Sequence, residues 1–316
     1  MNEPNPSSPV GDETKHVLEI GSERLLSLAG HVFDLLAITK PISPAAAVNL
    51  AKVVSKLSPL LGNLIEFNTV EFLNDQKEFK ELGRWKRQDP GFPDAIFESH
   101  ITPAPGFEIK AWFPLATEIT ARFKDSQNHF LSDQTKVCLL AWLPDQLIFG
   151  KPYIVDVCVV SGKSIAEARD NHYHNPPDYI VLEPENTSTR TQNLQQTNTN
   201  GYKFQGTSEQ FAEAKKLVES WGLEGKQYKA TSEYQILLRQ LMAHFPYRLD
   251  TNFAKMDRIV HPGIETFKSK VLSQKVHNIS IAGWARLINS ENDTAIKQAL
   301  QQHFNITDTD AKDLIE

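Results

Sequence analysis

The residues best suited to chemistry lie between positions 93 and 110. Pro93-Asp94 opens onto one short apolar run, and Glu108-Ile109-Lys110 lies inside the next. Two carboxylates and an ammonium gathered at one point suit the hydrolysis of a phosphodiester. That reaction needs a held or deprotonated water, neutralised charge on the phosphate and a stabilised leaving oxyanion. A hard cation such as Mg²⁺ takes carboxylate and carbonyl oxygens while keeping some of its waters. A positioned lysine can orient the water and polarise the phosphate. Glu108 and Lys110 are two positions apart, so on a strand they share a face while Ile109 turns to the other. If the two runs pair in a suitable register, Asp94 comes near Glu108. Among Phe92, Ile96, Phe97, Phe107, Ile109 and Trp112, such charges are costly unless a cation or partner satisfies them.

Taken singly the strings are weak. Pro-Asp occurs three times, at Pro93-Asp94, Pro144-Asp145 and Pro177-Asp178. Glu-x-Lys is commoner still, recurring among other places at Glu78–Lys80, in a polar helical setting, and at Glu224–Lys226, in a Gly-rich one. Only 93–110 combines the parts in order on two apolar runs. The competing reading is a set of solvated charges on the open face of an antiparallel sheet.

The elements that must position this set follow from periodicity. The apolar spacing predicts a helix from His16 to about Ile38, a second from Pro44 to Leu61 with Ser43 as its cap, and a third from Asn63 to Phe79. The period then changes. Phe92–Glu98 and Gly106–Phe113 read as strands joined by the turn-forming Thr102-Pro103-Ala104-Pro105. Leu115 to His129 reads as a helix, and Lys136–Trp142 and Tyr153–Val160 as buried strands. Ser161 to Asp170 is expected to be helical with Ser161 as cap, and Asp178–Leu182 a short strand. From Ser208 the chain reads as mainly helical, over Ser208–Trp221, Ser232–Phe245, Gly263–Gln274 and Ile281–Phe304, the last broken near Asn289–Asp293. The expected fold class is α/β: a central mixed β-sheet flanked by helices, with a helical C-terminal part. The expected division is a tail over 1–13, a core over 14–206 and a helical part over 207–316 packed on that core.

Pro93-Asp94, a hairpin-length gap and Glu108-Ile109-Lys110 resemble the signature of the PD-(D/E)XK nuclease superfamily, and within it the type II restriction endonucleases. The resemblance covers roughly residues 63–182 and implies a restriction-endonuclease-like core. It implies that Asp94 and Glu108 bind Mg²⁺ with the backbone carbonyl of Ile109, and that Lys110 positions the water. It also implies a further acidic residue from the preceding helix, Glu66 in preference to Glu71, with Gln127 a weaker candidate on the following helix. The activity implied is Mg²⁺-dependent, site-specific cleavage of double-stranded DNA. A separate cognate DNA methyltransferase is expected as a partner system, since no methyltransferase or ATP-binding motif is present. Cutting both strands of a palindrome is most simply done by a C2 homodimer. The rival expectations are a structure- or damage-directed repair nuclease of the same superfamily, and a non-enzymatic DNA-binding regulator.

Other segments bear on recognition. Asn186–Asn200 is almost wholly Asn, Gln, Thr and Ser with Arg190, and Leu194 is its single apolar residue. Asn and Gln can bond adenine bidentately and Arg guanine, so Arg190, Gln192, Asn193 and Gln195 are candidate base readers. A plain surface loop is the alternative. Arg84 and Lys86, in Arg84-Trp85-Lys86-Arg87, are candidate phosphate contacts, or else part of a solvated charged turn. His172, His174 and Asn175 are better read as a loop than as a second metal site. Ser161-Gly162-Lys163-Ser164 lacks the upstream glycine of a phosphate loop. Ile281–Phe304 has a faint helix-turn-helix look, against which stands simple packing on the core.

The bulk properties set limits. The net charge of −6 over 316 residues excludes a protein that coats nucleic acid by charge alone, though a local basic cleft stays compatible with it. Cys138 and Cys158 sit in apolar runs, without a disulfide or zinc pattern. The polar N-terminus has no signal-peptide core, and no apolar run approaches the ~18 residues of a membrane span, so a cytoplasmic location is expected.

Overall fold

The fold is taken from a computed structural model, which describes residues 11–88, 92–116, 119, 133–172, 180–182, 202–205, 208–221, 233, 236–237, 240, 247–249 and 259–307. The chain divides into two compact units. The first comprises Met1–Ala121, Asp125–Ala166 and Val260–Glu316, and the second Arg122–Lys124 and Glu167–Ile259. The last part of the chain, from Val260, belongs to the first unit.

The first unit is built on a mixed sheet of five strands in the order β1 (Arg84–Arg87), β2 (Ala95–Glu98), β3 (Gly106–Trp112), β4 (Thr135–Gln146) and β5 (Phe149–Ser161). β1–β2, β2–β3 and β4–β5 are antiparallel, and β3–β4 is parallel. Parallel neighbours need a crossover, and the helix expected over 115–129 in that connection lies almost wholly outside the described residues. β4 and β5, expected as two buried strands, pair as one long hairpin that turns through Leu147 and Gly150, both at positive φ.

Helix α1 runs over Asp12–Leu26, α2 over Pro44–Val53 and α3 over Ser58–Asn74. Ser43 caps α2 as expected, its hydroxyl accepting from Ala46 N–H at 3.1 Å. A single 3-10 turn, Val54–Leu57, separates α2 from α3, where the sequence suggested one helix to Leu61. Pro59, which lacks an N–H donor, sits in the first turn of α3, where none is needed.

The first helix also stops earlier than its apolar spacing suggests. Residues 30–38 instead lie along the outer edge of β5: Gly30 N–H donates to Ile154 O, Phe33 to Pro152 O, and Ile38 and Gly150 exchange a pair of bonds. This strap covers an edge that would otherwise present unpaired backbone groups.

Why these helices sit where they do is visible in the packing. Gly21 of α1 faces Phe107 of β3 so closely that a Cβ would stand 2.6 Å from its ring. Phe79, Trp85, Phe97 and Phe107 form one aromatic cluster, with centroids 5.0–5.6 Å apart. Such pairs contribute about 0.5–1.5 kcal/mol each beyond burial. Asn74, at the end of α3, accepts from Trp85 N–H at 2.8 Å and donates to Trp85 O at 2.9 Å. α3 is thereby fixed to β1, and through the cluster to the β2–β3 hairpin.

α4 (Gly162–His172) follows β5, with Ser164 N–H donating to Ser161 Oγ at 3.1 Å, the cap expected there. In the second unit, β6 (Ile180–Leu182), β7 (Tyr202–Gln205) and β8 (Tyr247–Leu249) form an antiparallel sheet beside α5 (Ser208–Ser220) in sequence. The strand Tyr247–Leu249 interrupts a region whose sequence reads as helical. The chain returns to the first unit as α6 (Pro262–Ser273), a short hairpin of β9 (Lys275–Val276) and β10 (Ile279–Ser280), α7 (Ile281–Ile288) and α8 (Asp293–Phe304). α7 and α8 turn Ile281, Trp284, Ile288, Ile296, Leu300 and Phe304 inward. No helix among the described residues is long and apolar enough to cross a membrane.

Candidate active site

β2 and β3 pair only through Ala95–Phe107 and Ile96–Gly106. The next positions, Asp94 and Glu108, face each other where the two strands part. From there on, the edge of β3 that β2 would have covered is open, and carboxylates take the place of the missing strand. Asp94 Oδ2 accepts from Ile109 N–H at 2.8 Å, and Glu66 Oε1 of α3 accepts from Ala111 N–H at 3.4 Å. Asp94 N–H in turn donates to Glu108 Oε2 at 3.1 Å. Lys110 reaches across to both acidic partners, with Nζ 2.9 Å from Asp94 Oδ2 and 2.5 Å from Glu108 Oε1.

Glu108 and Lys110 share one face of β3. Phe107, Ile109 and Ala111 occupy the other, where Phe107 meets Gly21 and a Cβ on Gly62 of α3 would touch Ala111. Ile109 is fully buried. In an extended strand a residue's N–H and C=O point to the same edge, so the Ile109 carbonyl looks out where its N–H meets Asp94. Two smaller features hold Asp94 in place. Gly106 lies under Pro93 so tightly that a Cβ would come within 2.4 Å of Pro93 Cγ. Gln88, just past β1, donates its backbone N–H to Asp94 O at 2.8 Å and its side-chain amide to Pro93 O at 3.0 Å. The sequence gives no motif for Gln88; its only signal is its place opposite Pro-Asp once β1 and β2 are paired.

The electrostatics follow from burial. Glu108, only 9% exposed at its side chain, and Glu66 are both pushed up to about 7. For both, loss of solvent is the main cause; the Lys110 charge opposes it and the Asp94 charge adds to it. Burial pulls the Lys110 ammonium down, but the charges and hydrogen bonds of Glu108 and Asp94 outweigh it and hold it well above its ordinary value.

The donor set suits a hard divalent cation: oxygens from Asp94, Glu108 and Glu66, with a backbone carbonyl on the same edge. Three carboxyl groups, Asp94, Glu108 and Glu66, gather here around one ammonium, that of Lys110. Among the described residues no group of three or more His, Cys, Asp or Glu side chains is drawn into a preformed cage. The fit therefore rests on donor chemistry, the oxygens being turned to Lys110 and to the β3 backbone.

The other candidates fall elsewhere. Glu71 is exposed on α3, away from the bonds that Glu66 makes. Arg84 and Lys86 lie on the outer face of β1, and Lys86 pairs with Glu98 at 2.7 Å. The structure makes Arg84–Arg87 a strand whose Trp85 is buried rather than a charged turn. Gln127, His174, Asn175, Arg190, Gln192, Asn193 and Gln195 lie outside the described residues. No family model matches the chain, and no curated protein or solved structure matches it.

Proposed function

We propose that the protein is a Mg²⁺-dependent endonuclease that hydrolyses phosphodiester bonds of double-stranded DNA at specific sites, as type II restriction endonucleases do. The observation that carries this reading is the convergence of Asp94, Glu108, Glu66 and Lys110 on the open edge of β3. Bound Mg²⁺ would neutralise phosphate charge and make its water a better nucleophile near neutral pH. Asp94 and Glu108 would hold it, with Glu66 and the Ile109 carbonyl completing the oxygen set. Lys110 keeps its proton in this setting, so it serves as a donor that orients the water against the phosphate and not as a base. One such centre cuts one strand, so cleavage of both strands calls for a C2 homodimer. Such an enzyme works in the cytoplasm beside a separate DNA methyltransferase that protects the same sites.

The test separates chemistry from binding. Asp94→Ala and Glu108→Ala should abolish Mg²⁺-dependent cleavage while the fold persists by circular dichroism. Lys110→Ala should slow single-turnover cleavage by about 10²–10³-fold with DNA affinity largely retained. Wild-type cleavage in Asp94→Ala or Glu108→Ala, or a Lys110→Ala defect confined to binding, would refute the assignment.

A further inference from the structure

Arg87 is the one member of Arg84-Trp85-Lys86-Arg87 whose position relates it to the carboxylates. Strand alternation turns Arg84 and Lys86 to the exposed face of β1, and Trp85 and Arg87 to the face that α3 covers. Trp85 is clamped there by Asn74. Two residues on, the Arg87 guanidinium carbon stands 5.8 Å over the ring of Phe67. Phe67 adjoins Glu66 on α3 and is 45% exposed. Arg87 also pairs with Ala95 across the strand, one residue from Asp94. Its charge reaches Glu66 and is one of the influences that lower that carboxyl.

We propose that Arg87, held over Phe67 beside the carboxylate cluster, binds a backbone phosphate of the DNA substrate, with Phe67 as its positioning residue. This rests on the nuclease reading above and adds the group that seats the polyanion. An acidic cluster in a chain of net charge −6 repels DNA unless cations are fixed beside it. A guanidinium carries five N–H donors, which gives room for a phosphate beside its partners within the protein. A plain surface role would be to cover the Phe67 ring, which any long side chain could do.

The experiment is fluorescence anisotropy with a labelled DNA duplex, using Ca²⁺ in place of Mg²⁺, over a series of salt concentrations. Arg87→Gln should weaken binding about tenfold at low salt and reduce the slope of log affinity against log salt by about 0.9, one phosphate contact. Arg87→Lys should keep the wild-type slope. Phe67→Leu should weaken binding roughly two- to fivefold with an unchanged slope and melting temperature. Because Phe67 is exposed, this variant carries the test if Arg87→Gln fails to fold. Wild-type slope and affinity in Arg87→Gln, or wild-type affinity in Phe67→Leu, would overturn this proposal and leave the nuclease reading standing. A wild-type protein that binds no duplex would overturn both.

Discussion

Glu66 and Glu108 hold their protons up to about pH 7 because burial removes the water that would stabilise their charge. Their ordinary value is 4.5, so between about pH 4.5 and about pH 7 the folded protein binds more protons than the unfolded chain. Stability without metal therefore falls as pH rises through that window. Lys110 acts in the same sense in a separate window: its raised value adds stability that is lost only far on the alkaline side. In EDTA the melting temperature should decline from about pH 5 to about pH 8, and less so in Glu108→Gln and Glu66→Gln. Equal declines in all three proteins would contradict the charge state assigned to the cluster. Ligand carboxylates must be deprotonated to bind a cation, so Mg²⁺ should raise the melting temperature more above pH 7 than below it. A stabilisation independent of pH would argue that Glu66 and Glu108 are not ligands.

At the scale of elements, the site depends on where β2 leaves β3 and on how α3 is tied to β1. Gly106→Ala would force its Cβ against Pro93 and shift Asp94. The expected cost is about 1–3 kcal/mol in urea unfolding, together with a large loss of cleavage; full cleavage would show that the hairpin does not position Asp94. Asn74→Ala leaves the Trp85 N–H and C=O without these partners, at about 1–3 kcal/mol, and loosens Glu66 at the same time. The strands that carry the chemistry were legible because their alternation and flanking prolines are local signals. The end of α1 was not: Leu28, Val32, Phe33, Leu35 and Leu36 fit a helical period, yet residues 30–38 are drawn onto the edge of β5 by long-range backbone bonds. β1 was hidden for a similar reason. Arg84-Trp85-Lys86-Arg87 has one apolar residue, and only its pairing with β2 and the Asn74 clamp make it a strand. Glu66 and Glu71 are alike in sequence; what separates them is the face of α3 that meets Ala111.

At the scale of the whole molecule, the carboxylates belong to the first unit, while the Asn- and Gln-rich stretch 186–200 falls in the sequence range of the second. If 186–200 reads bases, chemistry and recognition are separable by mutation. Arg190→Ala combined with Gln192→Ala should change or erase the preferred cutting sites while Mg²⁺ dependence persists, as read from fragment patterns on one DNA. An unchanged pattern would remove these residues from recognition. The most direct test of the central claim is incubation of the purified protein with unmethylated phage DNA, in Mg²⁺ and in EDTA, beside Asp94→Ala. Discrete fragments that require both Mg²⁺ and Asp94 are the predicted result. Cleavage that survives EDTA or the loss of Asp94, or no cleavage of any DNA by the wild type, would contradict it.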